Sequence, residues 1–372
     1  MGGVDEDVGR PVDVIRGEVR RRGGECNRGA VAVDVGSPPD PASHLFRRCS
    51  LGGKVRAVLV REPGPAESLE PAELPRPTAG AGRVVVRVGA VGVNPVDATN
   101  RADPSWAGIE PPYVVGYEVA GWIEEVGPGV TQFVRGDAVW GMCPVRAVRW
   151  GAYAEYVGLE AGWVGARPAM LGVVEAASIP LAGSTALQLL DRLALQPGDA
   201  LLVHGASGGV GRLLVQLARM RGIRVAASSS KARHPLLRDL GIEMLIDREH
   251  GDVADAAVRL VGGPLDAVAD CAGHGALAPS LVGVREGGSA GSIVELSGDF
   301  EEAVDRNLRL HGVLVRPQSE TLERLRDAVE CGALRPVVDA VVELDAIVST
   351  HRALDAGQAT GKVVLRISDV DG

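Results

Sequence analysis

Residues 200–211 read Ala-Leu-Leu-Val-His-Gly-Ala-Ser-Gly-Gly-Val-Gly, and an apolar-periodic run over 212–221 follows without a break. A short apolar run that ends in small residues and passes at once into helical spacing is a strand, a turn and a helix. Gly208 and Gly209 let the backbone approach a ligand closely, and the free N–H groups and positive end of the new helix suit a diphosphate. Ala206 to Gly211 follows the dinucleotide-binding pattern, with Ala206 where the first glycine would stand. Ala206, Ser207, Gly208, Gly209 and Val210 are therefore candidate cofactor-binding residues. A glycine pattern alone is weak in a chain with 50 glycines. The preceding strand, the following helix and a second strand expected over 224–227 supply the βαβ context it needs. His204 is expected to point into the flank of the sheet, neither a ligand nor a base.

The choice of dinucleotide falls at the end of that second strand, where an NAD site carries Asp or Glu about 20 residues after the glycines. This chain has Ser228, Ser229, Ser230 and Lys231 there, with Arg233 close behind. A carboxylate would repel a 2′-phosphate, whereas hydroxyls and cations can form charge-assisted hydrogen bonds of about 1.5–3 kcal/mol each. NADPH is expected over NADH.

A chain of 372 residues has room for two or three domains and buries roughly 70–75% of its unfolded surface. Cys26, Cys49, Cys143, Cys271 and Cys331 are far apart and form neither a disulfide framework nor a zinc-ligand spacing. No apolar run is expected to span a bilayer and none has the look of a signal-peptide core, so a cytoplasmic protein is expected. A net charge of −9 and only 3% aromatic residues argue against a nucleic-acid surface.

Residues 1–53 mix Gly, Pro, Arg and acids without a sustained period and read as a mostly disordered extension, with short strands conceivable at 11–15 and 30–35 and a basic cluster at 20–22. Whether this extension is a functional arm or follows a start codon set too far upstream stays open. Residues 54–178 carry β-rich runs at 54–60, 83–91, 113–115, 119–126, 138–142 and 152–157, separated by Pro, Gly and Asp, before the pattern turns helical. Over 179–333 strands and helices alternate, with strands expected at 243–246, 265–269, 292–296 and 311–315, which implies a parallel sheet with right-handed crossovers. Residues 334–370 return to β-like and helical pieces and are expected to complete the first domain.

Several co-linear motifs over 54–367 carry a family resemblance. They are Gly92-Val93-Asn94-Pro95-Val96-Asp97, Val115-Gly116-Tyr117-Glu118-Val119-Ala120-Gly121, Gly127-Pro128-Gly129-Val130 with Gly136-Asp137-Ala138-Val139, Gly151-Ala152-Tyr153-Ala154-Glu155-Tyr156, the glycine loop 204–211, and Ala359-Thr360-Gly361-Lys362-Val363-Val364-Leu365. Together they resemble the medium-chain dehydrogenase/reductase superfamily, and within it the zinc-independent quinone oxidoreductases related to zeta-crystallin. The resemblance implies an α/β fold in which a Rossmann-type doubly wound parallel sheet binds NADP and a β-rich GroES-like domain carries catalysis.

The zinc-dependent branch holds its catalytic metal on a Cys and a His; this chain has Asn94 and Tyr117 at the matching places, and 140–150 holds only Cys143 where a four-cysteine lobe would be. No metal is therefore expected. Hydride transfer from NADPH to an electron-poor acceptor, a quinone or another activated alkene or carbonyl compound, is the implied chemistry. By resemblance Asn94 and Thr185 lie near the nicotinamide as catalytic residues, and Gly208, Gly209 and Val210 hold the diphosphate. Ser230 with Lys231 or Arg233 meets the 2′-phosphate, and Ser297 with Gly298 covers the nicotinamide side. Asp97 and Glu118 are expected to be buried structural partners, and Lys362 a solvated strand-edge lysine. No proton donor stands out, so solvent or a bound water is left to supply the proton. The alternatives are an enoyl-thioester reductase and a non-catalytic NADPH-binding sensor or structural protein. A homodimer formed through the edge strand at 292–296 or 311–315 is the expected assembly.

Overall fold

A computed structural model describes residues 53–249, 251–358 and 361–368. The conceivable strands at 11–15 and 30–35, the basic cluster at 20–22, Cys26 and Cys49 lie outside the described residues, as do Ala359 and Thr360.

The alternation that begins the folded chain forms β1 (Lys54–Val60), which pairs antiparallel with β2 (Leu69–Pro75). A larger sheet is built from β3 (Arg83–Val93), β4 (Glu118–Val126), β5 (Ala138–Met142), β6 (Tyr156–Glu160) and β7 (Val164–Ala166). Helix α1 (Pro95–Ala102) follows β3, its first turn entered through Asn94-Pro95, where proline's missing N–H is no loss. Two helices, α2 (Val173–Ala176) and α3 (Pro180–Leu193), lead out of this sheet.

Strands β8 (Ala200–His204), β9 (Arg224–Ser229), β10 (Met244–Asp247), β11 (Leu265–Asp270), β12 (Val284–Ser292) and β13 (Arg309–Gly312) form a parallel sheet in the order β10-β9-β8-β11-β12-β13. The helices between and after them are α4 (Gly209–Met220), α5 (His234–Asp239), α6 (Val253–Val261), α7 (Leu277–Ser280), α8 (Glu301–Asp305) and α9 (Ser319–Glu330). The chain winds outward from β8 through β9 to β10, then resumes on the other side at β11. That reversal opens a crevice beyond the carboxyl ends of β8 and β11, the place where such sheets take ligands. The last segment, β14 (Ala340–Glu343), α10 (Ile347–Asp355) and β15 (Val363–Arg366), returns to the first sheet, where β15 pairs antiparallel with β3. The first sheet then runs β14-β15-β3-β4-β5-β7, with β6 also on β3.

Three departures from the sequence-based expectations have physical causes. The strand expected at 292–296 lies instead at Val284–Ser292, and Val294 and Leu296 are exposed in the loop after it. This strand consists largely of Gly, Ser and Ala because α3 presses on it: a Cβ at Gly291 would stand 2.6 Å from Leu189 Cδ1. The strand expected at 152–157 begins only at Tyr156, while Ala154 makes an isolated bridge to Ala57. Finally, the helical stretch Val173–Leu193 is long and apolar enough by composition to cross a membrane. It is 83% buried over its most apolar window, and Leu187, Leu189 and Leu190 pack with Leu213 and Leu217 of α4 and Leu322 and Leu325 of α9.

Candidate active site

The turn after β8 takes its left-handed residue one position earlier than the pattern suggests. Gly205 sits at φ +66°, so Ala206 can follow in its place, fully buried, with its N–H on Ser228 O at 3.2 Å. Gly208 is extended and α4 starts at Gly209, so the N–H groups of the first turn have no carbonyl four residues back to bond. A Cβ at Gly208 would meet only Gly205 O at 3.3 Å, and one at Gly209 only Lys362 Cδ at 3.9 Å. This open surface, with free donors and the positive helix end, fits a diphosphate. Gly211 serves packing instead. A Cβ there would collide with Gly205 O and lie 2.8 Å from Ala206 Cα, so glycine is what lets helix and turn meet.

Arg212, buried on α4, fixes the turn from behind. Its guanidinium donates to Ser207 O at 2.7 and 3.2 Å, to Val337 O at 3.1 Å and to Asp339 Oδ2 at 2.6 Å.

A cavity of about 540 Å³ opens at the carboxyl ends of the parallel strands, lined in part by His204, Ser207, Ser230, Arg248, Asp252 and Gly273. His204 thus faces the crevice instead of the sheet flank. Its Nε2 lies 2.8 Å from Ser280 Oγ and burial holds it below its usual pKa, in the neutral form. Of the three residues expected at a 2′-phosphate, only Ser230 lines this cavity. Lys231 is exposed in the turn after β9, and Arg233 lies 3.6 Å from Asp339 Oδ1. Arg248, which the sequence pattern did not single out, follows β10, and its N–H donates to Ser229 O at 3.0 Å. Its signal was local: a cation placed just after the strand that neighbours β9.

Asn94 and Glu118 form a buried polar cluster. Asn94 Nδ2 donates to Glu118 Oε1 at 2.9 Å and to Gly92 O at 3.1 Å. Glu118 Oε2 accepts the Leu181 N–H at 2.7 Å, which ties β4 to the start of α3. Thr185, one turn further on, spends its hydroxyl proton on Leu181 O at 2.7 Å and so keeps only acceptor capacity. Asp97 is fully buried and accepts the Asn94 N–H at 2.7 Å and the Tyr153 hydroxyl at 3.1 Å. Burial raises its carboxyl to about 7, against these hydrogen bonds and the charge of Lys362.

Lys362 overturns its expected role. It is 3% exposed, and its ammonium donates to Asn94 Oδ1 at 2.8 Å and to Glu118 Oε1. The backbone puts it there: Gly361 at φ +90° leaves the room that the Asp339 carboxylate fills, and Asp339 Oδ2 accepts the Lys362 N–H at 2.7 Å. Burial pulls the ammonium down to about 7, while the Asp97 carboxylate opposes that fall.

Ser297 and Gly298 lie in the exposed loop after β12, where a Cβ at Gly298 would stand 2.7 Å from Ala278. Trp106 is half-buried with the Arg146 guanidinium 5.3 Å from its ring, and Trp140 is buried in the core. Trp150 lines a separate cavity of about 310 Å³ between β1, β2 and β6, which contains none of the expected site residues.

The residues at the zinc-ligand places do not fit a catalytic zinc. The Tyr117 hydroxyl accepts Asn100 Nδ2 at 2.7 Å, and Glu118 is occupied by Lys362. The buried Cys143 thiol faces Gly116 O at 3.6 Å and is pushed up to about 12 by burial. Among the described residues no three His, Cys, Asp or Glu side chains gather at one point.

A β-rich domain joined to a parallel dinucleotide-type sheet, with a polar cluster where the two meet, defines the two-domain nicotinamide oxidoreductases. Residues 80–169 match the alcohol dehydrogenase GroES-like domain, and residues 240–365 match the zinc-binding dehydrogenase family. The 2-methylene-furan-3-one reductase of Solanum lycopersicum is 34% identical over 292 residues, 76% of this chain and 71% of that protein. The chloroplastic NADPH-dependent alkenal/one oxidoreductase of Arabidopsis thaliana is 31% identical over 76% of this chain and 72% of its own length. The solved quinone oxidoreductase of Coxiella burnetii superposes with a TM-score of 0.76 at 28% identity, covering 85% of this chain and 100% of that one. The chain belongs to the medium-chain dehydrogenase/reductase superfamily, on the side of its quinone and alkenal oxidoreductases.

Proposed function

We propose that the protein is a metal-free reductase that uses NADPH to reduce quinones or other activated alkenes. The observation that carries the reading is the buried donor set at the zinc-ligand places: an amide, a phenol already hydrogen-bonded and a carboxylate paired with an ammonium, in place of zinc ligands. Without a Lewis acid, acceptors that are already electron-poor are the suitable substrates, because positioning can then supply most of the catalysis. Relatives named for alkenal/one and furanone reduction support the same substrate class.

When bound, NADPH supplies the hydride. The free N–H groups at the start of α4 would hold the diphosphate, and Ser230 with Arg248 would receive the 2′-phosphate. Glu118 keeps Asn94, α3 and Lys362 in register, so the hydride end is preorganised by buried hydrogen bonds. The edge strand β13 is the place proposed for pairing with a second copy, since 292–296 is not a strand.

The test is oxidation of NADPH and of NADH with 9,10-phenanthrenequinone, a simple enone and a crotonyl thioester as acceptors, with and without chelator. NADPH-preferring turnover of the quinone or enone that ignores chelator is expected. Chelator-sensitive turnover refutes the metal-free reading, preference for the thioester makes the protein an enoyl-thioester reductase, and binding without turnover makes it a sensor.

A further inference from the structure

Lys362 is a buried cation drawn in from the last segment of the chain, and its position calls for a chemical explanation. Its stem lies against the start of α4, with Cδ 3.9 Å from where a Cβ on Gly209 would be, and its ammonium reaches Asn94 and Glu118. The side chain therefore runs from the diphosphate cradle to the polar cluster. A dinucleotide held at Gly208–Val210 must send its nicotinamide along the same path to reach Asn94. An ammonium has three N–H donors; two are taken by Asn94 Oδ1 and Glu118 Oε1, which leaves one for an incoming oxygen.

We propose that Lys362 is the catalytic acid of the reductase: its ammonium, held by Asn94 and Glu118, hydrogen-bonds the acceptor carbonyl and protonates it as hydride arrives. This inference rests on the reductase reading above. For an enone the balance is complete. The hydride of NADPH forms a C–H bond at the β-carbon, and the alkene π pair shifts to make a new C=C bond to the carbonyl carbon. The carbonyl π pair takes the proton released by one N–H bond of Lys362, giving an enol that tautomerises to the saturated ketone. NADPH is oxidised and the enone reduced by two electrons, and the neutral amine regains its proton from water.

The charged groups facing this ammonium are Glu118 from β4 and Asp97 from α1, while Asp339, from the segment before β14, accepts the Lys362 backbone N–H and is paired with Arg212 of α4. The Asp97 charge favours the form that donates, Glu118 holds that form by a hydrogen bond, and burial weakens the hold on the proton so that it can be given up.

The experiment compares wild type, Lys362→Met, Lys362→Arg and the Glu118→Gln/Lys362→Met double variant, with an enone and a quinone as acceptors and NADPH binding followed by its fluorescence. Lys362→Met should lower kcat/KM for the enone by about 100-fold or more, the usual scale of a lost general acid. Quinone reduction, which yields a stabilised hydroquinone anion, should fall far less, and NADPH binding should persist. The double variant removes the paired charges of Glu118 and Lys362 together; it should unfold near the wild-type temperature and still lack enone turnover. Wild-type kcat/KM for the enone should decline as pH rises through about 7, where the ammonium loses its proton. Lys362→Arg, whose guanidinium can hydrogen-bond the carbonyl but cannot give up its proton, should keep only slow enone turnover and lose that decline. Wild-type enone turnover by Lys362→Met, or an unchanged pH decline in Lys362→Arg, overturns the assignment while leaving the reductase reading intact. Failure of the wild-type chain to oxidise NADPH with either acceptor overturns the reductase reading and this inference with it.

Discussion

Acidification should destabilise this protein through His351. His351 on α10 is fully buried, with Nδ1 3.2 Å from Arg101 Nη1 and Nε2 3.1 Å from the Tyr153 hydroxyl. A guanidinium only donates, so Nδ1 is the acceptor and Nε2 carries the hydrogen that it gives to Tyr153. Tyr153 in turn donates to Asp97. Protonating Nδ1 would replace the Arg101 bond with a contact between two cations, and burial already disfavours the charge. Burial first and the Arg101 charge second lower the pKa from 6.5 to about 4. The unfolded chain binds this proton from about pH 6.5 downward and the folded chain does not until about pH 4. Stability is therefore present in full above pH 6.5 and is lost as pH falls to 4. At about 1.4 kcal/mol per tenfold in proton affinity, the loss by pH 4 is about 3 kcal/mol. That is a large share of the roughly 5–15 kcal/mol typical of a domain. Asp97 acts in the opposite sense, because its raised pKa makes the folded state take up a proton between pH 7 and 4. The assay must isolate the histidine. Urea unfolding of wild type and His351→Gln, read by tryptophan fluorescence at pH 7.5 and 4.5, does so: the amide can still accept from Arg101 and donate to Tyr153 but cannot titrate. The stability difference between the two proteins should shift by about 2–3 kcal/mol in favour of the variant at the lower pH. A difference that is the same at both pH values would refute the buried, neutral Nε2–H histidine.

Other perturbations follow from the same geometry. Gly211→Ala drives a methyl group into Gly205 O, so it should cost about 1–3 kcal/mol of stability by overpacking and weaken NADPH binding in a titration. Arg248→Ala should raise the Kd for NADPH about tenfold while leaving NADH unchanged, the loss of one charge-assisted hydrogen bond; a larger effect from Lys231→Ala would move the 2′-phosphate to the turn after β9. Asp339→Ala leaves the buried Arg212 guanidinium without its carboxylate, which should lower stability by about 3–5 kcal/mol in urea unfolding.

Local chemistry was legible in the sequence and long-range chemistry was not. The turn at 204–211 could be read because strand, glycines and helix are contiguous, and even the Ala206 departure has its compensation next door in Gly205. The polar cluster was half legible. Asn94 and Glu118 stood out in their motifs, but their third member is 268 residues from Asn94 along the chain. Nothing near Lys362 distinguishes a solvated edge lysine from one turned inward by Gly361 and Asp339. Strand β12 does not show in the sequence because Gly287, Gly288 and Gly291 have poor strand propensity, while β-branched residues stand just beyond it. Packing against α3 selected the small residues over the apparent strand formers.

The same packing logic explains why the last segment matters to the cofactor loop. Asp339 accepts from Arg212, which holds Ser207 O in the glycine turn, and it accepts the N–H of Lys362, whose ammonium reaches Asn94 and Glu118. One carboxylate thus sets both the back of the diphosphate cradle and the height of the buried cation. A shift in the Asp339 segment moves the two together, because Arg212 and Lys362 bond the same oxygen, Oδ2. On the proposed reading, a residue that would touch neither substrate thus joins the turn that would hold the cofactor to the charge at the hydride end. That linkage requires the returning segment to be seated, which β15 achieves by pairing Val363 with Val93, directly before Asn94.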